Sequence, residues 1–268
     1  MLPGKHPPEE AMERYETLLY EVADDIGVLT LNRPKVLNAI NDQMIEELFD
    51  FWSRRRWEAE PRVIVITAAG EKGFCAGLDL KSFLPKAAEF DMARFYRFQA
   101  KLARVWLAMR QAPQPIVCCV FGAAVGAGFS IAMASDLRVI APDARFAASY
   151  INVGFGGSDM AASYFLPRLI GAGRAYEFLL TGDFLGAAVA EGLGLVSRVV
   201  EADQLLPTAM ELARKMCRKN PLGLRLTKEA INVNLDCGGL EQALIMEDRN
   251  QAMCFGTIRY EGQAVDTR

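Results

Sequence analysis

The sequence predicts an α/β core followed by a helical C-terminal part. Two apolar, β-branched runs, VIVIT (63–67) and PIVCCV (115–120), each lead into a small-residue segment, FCAGLDLK (74–81) and GAAVGAGFS (122–130). This is the pattern of a buried strand that exits through a loop onto a helix. Beyond residue 159 the patterns are helical only, over 160–170, 174–180, 187–192, 204–218, 221–235 and 240–254. Strands alternating with helices, then helices alone, define the class.

Element by element, runs 17–22 and 26–31 flank Asp24-Asp25 and Gly27 and predict a hairpin. Asn41 or Asp42 is suited to cap a helix running to about residue 58, before Pro61. The 91–110 stretch predicts a long amphipathic helix stopped by Pro113 and Pro115, and the second small-residue loop opens a helix to about Ser135. Strands follow at 137–141 and near 145–148. The expected organisation is a solvated tail (1–14), a core carrying the site (15–200) and a helical oligomerisation region (201–268).

Composition narrows the chemistry. Half of the 268 residues are hydrophobic, enough for a packed interior, and the formal net charge of −3 lacks the footprint of a nucleic-acid binder. No apolar run is long enough to span a bilayer, and MLPGKHPPEEAMERY, with its acidic residues and no apolar centre, does not read as a signal peptide. Six cysteines without CxxC spacing, two of them side by side in a strand, predict reduced thiols and a cytoplasmic setting. The single histidine, His6, leaves no Ser-His-Asp triad, Cys-His pair or His-built metal site, and there is no GxSxG elbow or Walker A loop. Any base is then a carboxylate or a hydroxyl, or there is none.

Unpaired backbone N–H groups at two strand exits, converging on one point, can hold a developing oxyanion. The residues around those exits resemble the crotonase family, the enoyl-CoA hydratase/isomerase superfamily. LNRPKVLNAIN (31–41), FCAGLDLK, GAAVGAGFSIAMASDLRV (122–139), LPRLIGAGRAYEFLLTG (166–182) and AEGLGLVSRVV (190–200) match its segments in order, and the likeness runs from about Glu16 to Gly262. The resemblance implies a spiral of ββα turns with C-terminal helices that drive trimerisation, often with trimers paired into hexamers. It also implies a thioester enolate held by two backbone donors, which by position are Ala76 and Ala127. Gly77, Gly126 and Gly128 would let the backbone approach the thioester.

CoA enters as part of an acyl-CoA substrate, with no separate cofactor and no metal. The resemblance implies that Arg33, Lys35 and Lys81 meet its phosphates and that Val36, Leu37 and Ala76 give backbone contacts, with Gly77, Asp79 and Leu80 in the same segment. A solvated surface charge is the plainer reading of the three basic residues. Lys228 is a candidate to face a neighbour's CoA, and the Phe and Lys with which relatives clamp adenine are absent from the ending EGQAVDTR.

The two hydratase glutamates are replaced by Ser130 and Tyr150. Asp159 falls on the aspartate used by double-bond-shifting relatives, and is equally suited to cap a helix starting at Met160. Gly156 and Gly157 would let its loop close, and Asp136 reads as structural. Pocket walls are expected from 82–110 and the last helices. The leading expectation is an enoyl-CoA isomerase with Asp159 as sole base. A hydratase or ring-opening hydrolase comes second, and an inactive CoA-binding or assembly subunit third.

Overall fold

The computed structural model describes residues 15–258. The 1–14 tail, His6 and the last ten residues lie outside that range.

The chain enters through a hairpin of β1 (Leu18–Ala23) and β2 (Ile26–Leu31), in which Ala23 pairs with Ile26 across the two aspartates. Asp24 and Asp25 have φ of 53° and 61°, the left-handed conformation that a two-residue hairpin turn requires and that Asp tolerates. Helix α1 (Asp42–Arg55) starts where expected, with the Asn41 side chain accepting from Met44 N at 3.0 Å. It ends three residues earlier than 58, in a tight turn from Trp57 N to Arg54 O. Strand β3 (Val63–Ala68), helices α2 (Leu80–Ala87) and α3 (Met92–Gln111), β4 (Ile116–Val120), β5 (Ala123–Val125), α4 (Ala127–Ala134), β6 (Leu137–Ile140) and β7 (Arg145–Ala147) follow. The rest is α5 (Ala162–Ile170), α6 (Ala172–Thr181), β8 (Leu185–Gly186), α7 (Ala187–Gly192), β9 (Arg198–Val199), α8 (Leu205–Cys217), α9 (Pro221–Asn234) and α10 (Leu240–Phe255). Helix α2 has no sequence signal of its own, because Pro85 interrupts its eight residues.

The main sheet has the order β1-β2-β3-β4-β6-β9, parallel except for the β1–β2 hairpin. Both of its faces are buried, and the alternation of side chains divides the interior. Ile64, Ile66, Ile116, Cys118 and Val120 face a cluster with Phe51 and Trp52 of α1, Trp106 of α3 and Phe129 of α4. Val63, Val65, Val117 and Cys119 face the other way, onto Leu205, Ala209 and Ala213 of α8. Helix α8 is therefore a layer of the core, although the sequence placed it with the helices after it. Helices α9 and α10 follow it with one buried residue each, Lys228 and Asn250, which anchor them.

A second, three-stranded sheet, β5-β7-β8, sits beside the exit of the first. Isolated bridges tie it to the 73–78 loop, Gly73 to Gly122 and Cys75 to Ala124, and a third joins Ile40 to Leu78. The two small-residue segments are thus stitched side by side by backbone hydrogen bonds.

Candidate active site

Between these segments lies a cavity of about 120 Å³, lined by Ala76–Leu78 and Val125–Ala127 on the backbone side. The backbone hydrogen bonds decide which amides are open to it. Cys75 N donates to Ala123 O at 3.0 Å, Ala76 N to Leu37 O at 2.9 Å and Asp79 N to Ile40 O at 2.9 Å. Gly77 N donates to Cys75 Sγ at 3.4 Å. Among the hydrogen bonds of the described residues, Leu78 N has no acceptor. Ala76 is therefore not a free donor, contrary to expectation: its amide closes the bridge between the 34–40 loop and the first segment. The open amide is that of Leu78, two residues on, after Gly77 turns the chain with φ of 89°. A side chain at Gly77 would also stand 2.8 Å from Val125 O, so only glycine fits.

The second donor stands where the sequence put it. Ala127 is the first residue of α4, where no earlier turn supplies an acceptor, and its N–H donates to none. Gly126, with φ of 51°, makes the corner, while its own N–H is taken by Ala147 O at 2.8 Å. Gly128 seats α4 against the first segment: a Cβ there would lie 2.6 Å from Cys75 O. Cys75 is itself inert, its thiol donating to Asn38 O at 3.1 Å and pushed up to about 12 by burial.

The opposite walls are aromatic. Phe83 of α2 stacks on Phe98 of α3 (4.8 Å, 29°), and Phe95 of α3 on Phe155 (5.7 Å, 8°). The 82–110 region thus lines the cavity as expected, but the last helices do not; the 149–160 loop takes their place.

The polar groups on the wall are few. Ser130 Oγ and Tyr150 Oη, at the two glutamate positions, hydrogen-bond each other at 3.0 Å and are buried. Burial pushes the Tyr150 phenol well above its ordinary value; the Ser130 bond opposes this and the charge of Asp159 adds to it. Both hydroxyls are therefore neutral at pH 7. Among the described residues, Asp159 is the single carboxylate on the wall. Its Oδ2 accepts from the Gln99 amide at 3.0 Å and its Oδ1 from Met160 N at 2.7 Å. It does not cap a helix starting at 160. Met160 and Ala161 are left-handed (φ 47° and 65°), and α5 starts only at Ala162. Non-glycine residues held in that region store strain, which clusters at functional sites. Gly157 supplies close packing rather than freedom to close, since a Cβ on it would lie 2.0 Å from Leu179 O; Gly156 is open on all sides.

The expected CoA residues divide. Lys35 and Lys81 are exposed, and Val36 and Leu37 present partly exposed side chains but do not line the cavity. Leu80 lines the cavity. Arg33 is turned inward: its guanidinium pairs with Asp79 at 3.0 Å and also donates to Ala39 O, so its charge is engaged within the chain rather than offered to phosphate. Asp79 additionally caps α2, accepting from Ser82 N. Lys228 does not face outward either. It is buried, donates to Gln114 O at 2.7 Å and pairs with Asp136 at 2.8 Å. Burial pulls its ammonium down, and Asp136 works against that. Asp136 also holds Arg110 at 2.9 Å and Ile116 N at 2.8 Å, the structural role expected of it. Leu78 and Gln99 escape sequence reasoning. The open amide of Leu78 is a main-chain property, and Gln99 is one polar residue among many on a helix.

The described residues contain no helix long and apolar enough to cross a membrane, and no acid, His or Cys cluster able to hold a metal ion.

Comparison with known proteins agrees with this architecture. Residues 21–263 match the family model described as enoyl-CoA hydratase/isomerase. A probable enoyl-CoA hydratase of Mycobacterium leprae is 36% identical over 230 residues, 85% of this chain and 78% of the relative. The crotonyl-CoA hydratase of Syntrophomonas wolfei is 32% identical over 247 residues, 91% of each chain. The crystal structure of an enoyl-CoA hydratase from Bacillus anthracis superposes with a TM-score of 0.84 at 30% identity, covering 90% of this chain and 92% of that one. With the match spanning both small-residue segments and the fold shared throughout, the chain belongs to the enoyl-CoA hydratase/isomerase family, with the crotonase fold.

Proposed function

We propose that this acyl-CoA enzyme shifts a double bond in an enoyl thioester, with the Leu78 and Ala127 amides as the oxyanion donors and Asp159 as the proton carrier. The observation that carries the reading is the wall's inventory: two open amides and one carboxylate. A thioester α- or γ-proton is too weakly acidic for a carboxylate unless the enolate oxygen is stabilised, and one well-placed donor contributes about 2.7–4 kcal/mol. A single base can take the α-proton of a 3-enoyl thioester, leaving a dienolate, and return it to the γ-carbon to give the 2-enoyl product. Hydration through two carboxylates flanking a water lacks both, since Ser130 and Tyr150 are neutral hydroxyls occupied with each other. CoA arrives with the substrate; Lys35 and Lys81 supply exposed charge for its phosphates.

The test is a 3-enoyl-CoA incubated in deuterated water, following conversion to the 2-enoyl product and deuterium at its γ-carbon. Wild type exchanges and yields the 2-enoyl product; Asp159→Ala loses about 10²–10⁴ of that rate. Equal rates would remove Asp159 from the mechanism. The names of the relatives favour a second reading, hydration. In that case a 2-enoyl-CoA gains the mass of water, with Asp159 activating it. An inactive binding subunit is the weakest reading, because the open amides have no structural task.

The same reading includes assembly of copies, a trimer or a pair of trimers, through α9 and α10. Val233 of α9 and Leu240, Ile245 and Phe255 of α10 are exposed apolar residues available to meet another copy.

A further inference from the structure

The first cavity, at about 120 Å³, is small for an acyl chain. A dry protein cavity of about 150 Å³ accommodates one benzene. Two of its sides are closed by stacked phenyl pairs, Phe83–Phe98 and Phe95–Phe155, and a third by the backbone of the oxyanion segments. Tyr150, Val153, Asp159 and Met160 belong to the rest of the lining. The same Met160 also lines a second cavity of about 640 Å³, an apolar groove between α3, α5 and α9 that is walled by Met133, Leu169 and Leu224 and open to solvent along Leu107 and Ile231. Among the described residues no other lines both.

We infer that Met160 divides a head-group cavity from a distal acyl-chain subsite, and that the enzyme accepts long-chain acyl-CoA by threading the chain's far methylenes past Met160 into the second cavity. The inference rests on the acyl-thioester reading above. Methionine suits such a divider, because an unbranched side chain with three rotatable bonds repacks readily around a neighbour. Its backbone is held in the left-handed region together with Ala161. The two residues therefore adopt a conformation that a shift toward ordinary helical φ would relieve. Asp159 precedes Met160 directly, so a chain passing there would place the carbons near the thioester beside the carboxylate.

The test has two arms. In the first, kcat/KM is measured for thioesters from crotonyl to hexadecenoyl, and each variant is scored by its ratio of long-chain to short-chain values. Leu169→Trp, which fills the second cavity from α5, should lower that ratio at least about tenfold, the scale on which a hydrophobic pocket discriminates by methylenes. Met160→Ala should raise it. An unchanged ratio in both variants overturns the subsite. In the second arm, wild-type protein is irradiated with a tetradecanoyl-CoA bearing a diazirine at its last carbon. Labelled peptides from 164–169 or 224–235 support the inference. Label confined to the Phe83–Phe98 wall or to Phe155 refutes it. Should no thioester of any length be turned over, the functional reading fails, yet the cross-link needs only binding and still decides the subsite.

Discussion

At the residue scale, the wall's chemistry depends on how each polar atom is partnered. Asp159 is held at both oxygens, by Gln99 and by Met160 N, so its direction toward the cavity is fixed by α3 and by the backbone. Gln99 is then a positioning residue. Gln99→Leu is expected to lower kcat by about tenfold with KM unchanged, because orientation in the transition state is lost while binding is not; steady-state kinetics on a short 3-enoyl-CoA read this split. The Ser130–Tyr150 pair makes a different prediction. Ser130→Ala strands the buried Tyr150 hydroxyl and should cost about 1–3 kcal/mol, and adding Tyr150→Phe should recover part of that loss. Denaturant unfolding of the single and double variants measures it. These contacts also mark the limit of sequence reading at this scale. The types Ser130, Tyr150 and Asp159 are evident in the chain, but which amide faces the cavity depends on the partner of Ala76, Leu37, which lies in a different loop distant in sequence.

At the element scale, the site exists because α4 sits hard against the first segment. Every residue of α4 is buried, and Gly128 lets it approach Cys75. Gly128→Ala should destabilise by about 1–3 kcal/mol through overpacking and lower activity with it, as the Ala127 amide is displaced. A thermal melt and an exchange assay on the same preparation check both. The entry of the chain is fastened by a carboxylate. Glu47 of α1 accepts from Glu16 N at 2.7 Å, Thr17 N at 2.9 Å and Gln43 at 2.8 Å, and also from the Thr17 hydroxyl. Burial opposes its ionisation, yet these donors hold its pKa below the usual value. A lowered folded pKa contributes stability that is present above the unfolded pKa and is lost as pH falls through the folded one. The stability gap between wild type and Glu47→Gln should therefore be largest near neutrality and shrink in acid, as denaturant titrations across that range would show. Sequence periodicity located α1, α3 and β3 well because they are long. It passed over α2, β5, β8 and β9, which are short or broken by proline and exist through their neighbours.

At the scale of the whole molecule, the sheet with helices on both faces carries the site, and α9–α10 project from it with little buried. Lys228 and Asn232 fasten α9 to Gln114 O, Asp136 and the Arg110 carbonyl, a polar seam rather than an apolar one. The apolar residues that α9 and α10 leave exposed fit association between copies. Ile245→Glu on α10, more than half exposed, should shift the sedimentation of the protein toward a smaller species without altering the far-ultraviolet spectrum. An unchanged sedimentation profile would show that this face is not an interface.

The linear chain by itself determined the class, the two strand exits, the identity of the groups available for chemistry and the family likeness, because each is written in local pattern or composition. Apolar period, helix caps and the near-absence of histidine need no folding to be read. Only the tertiary structure decided that Leu78 rather than Ala76 offers its amide, that Arg33 and Lys228 are spent on internal pairs, and that α8 belongs to the core. The reason is common to all three. A hydrogen bond or ion pair is completed by a partner distant in sequence, and until that partner is in place a donor's availability is undefined.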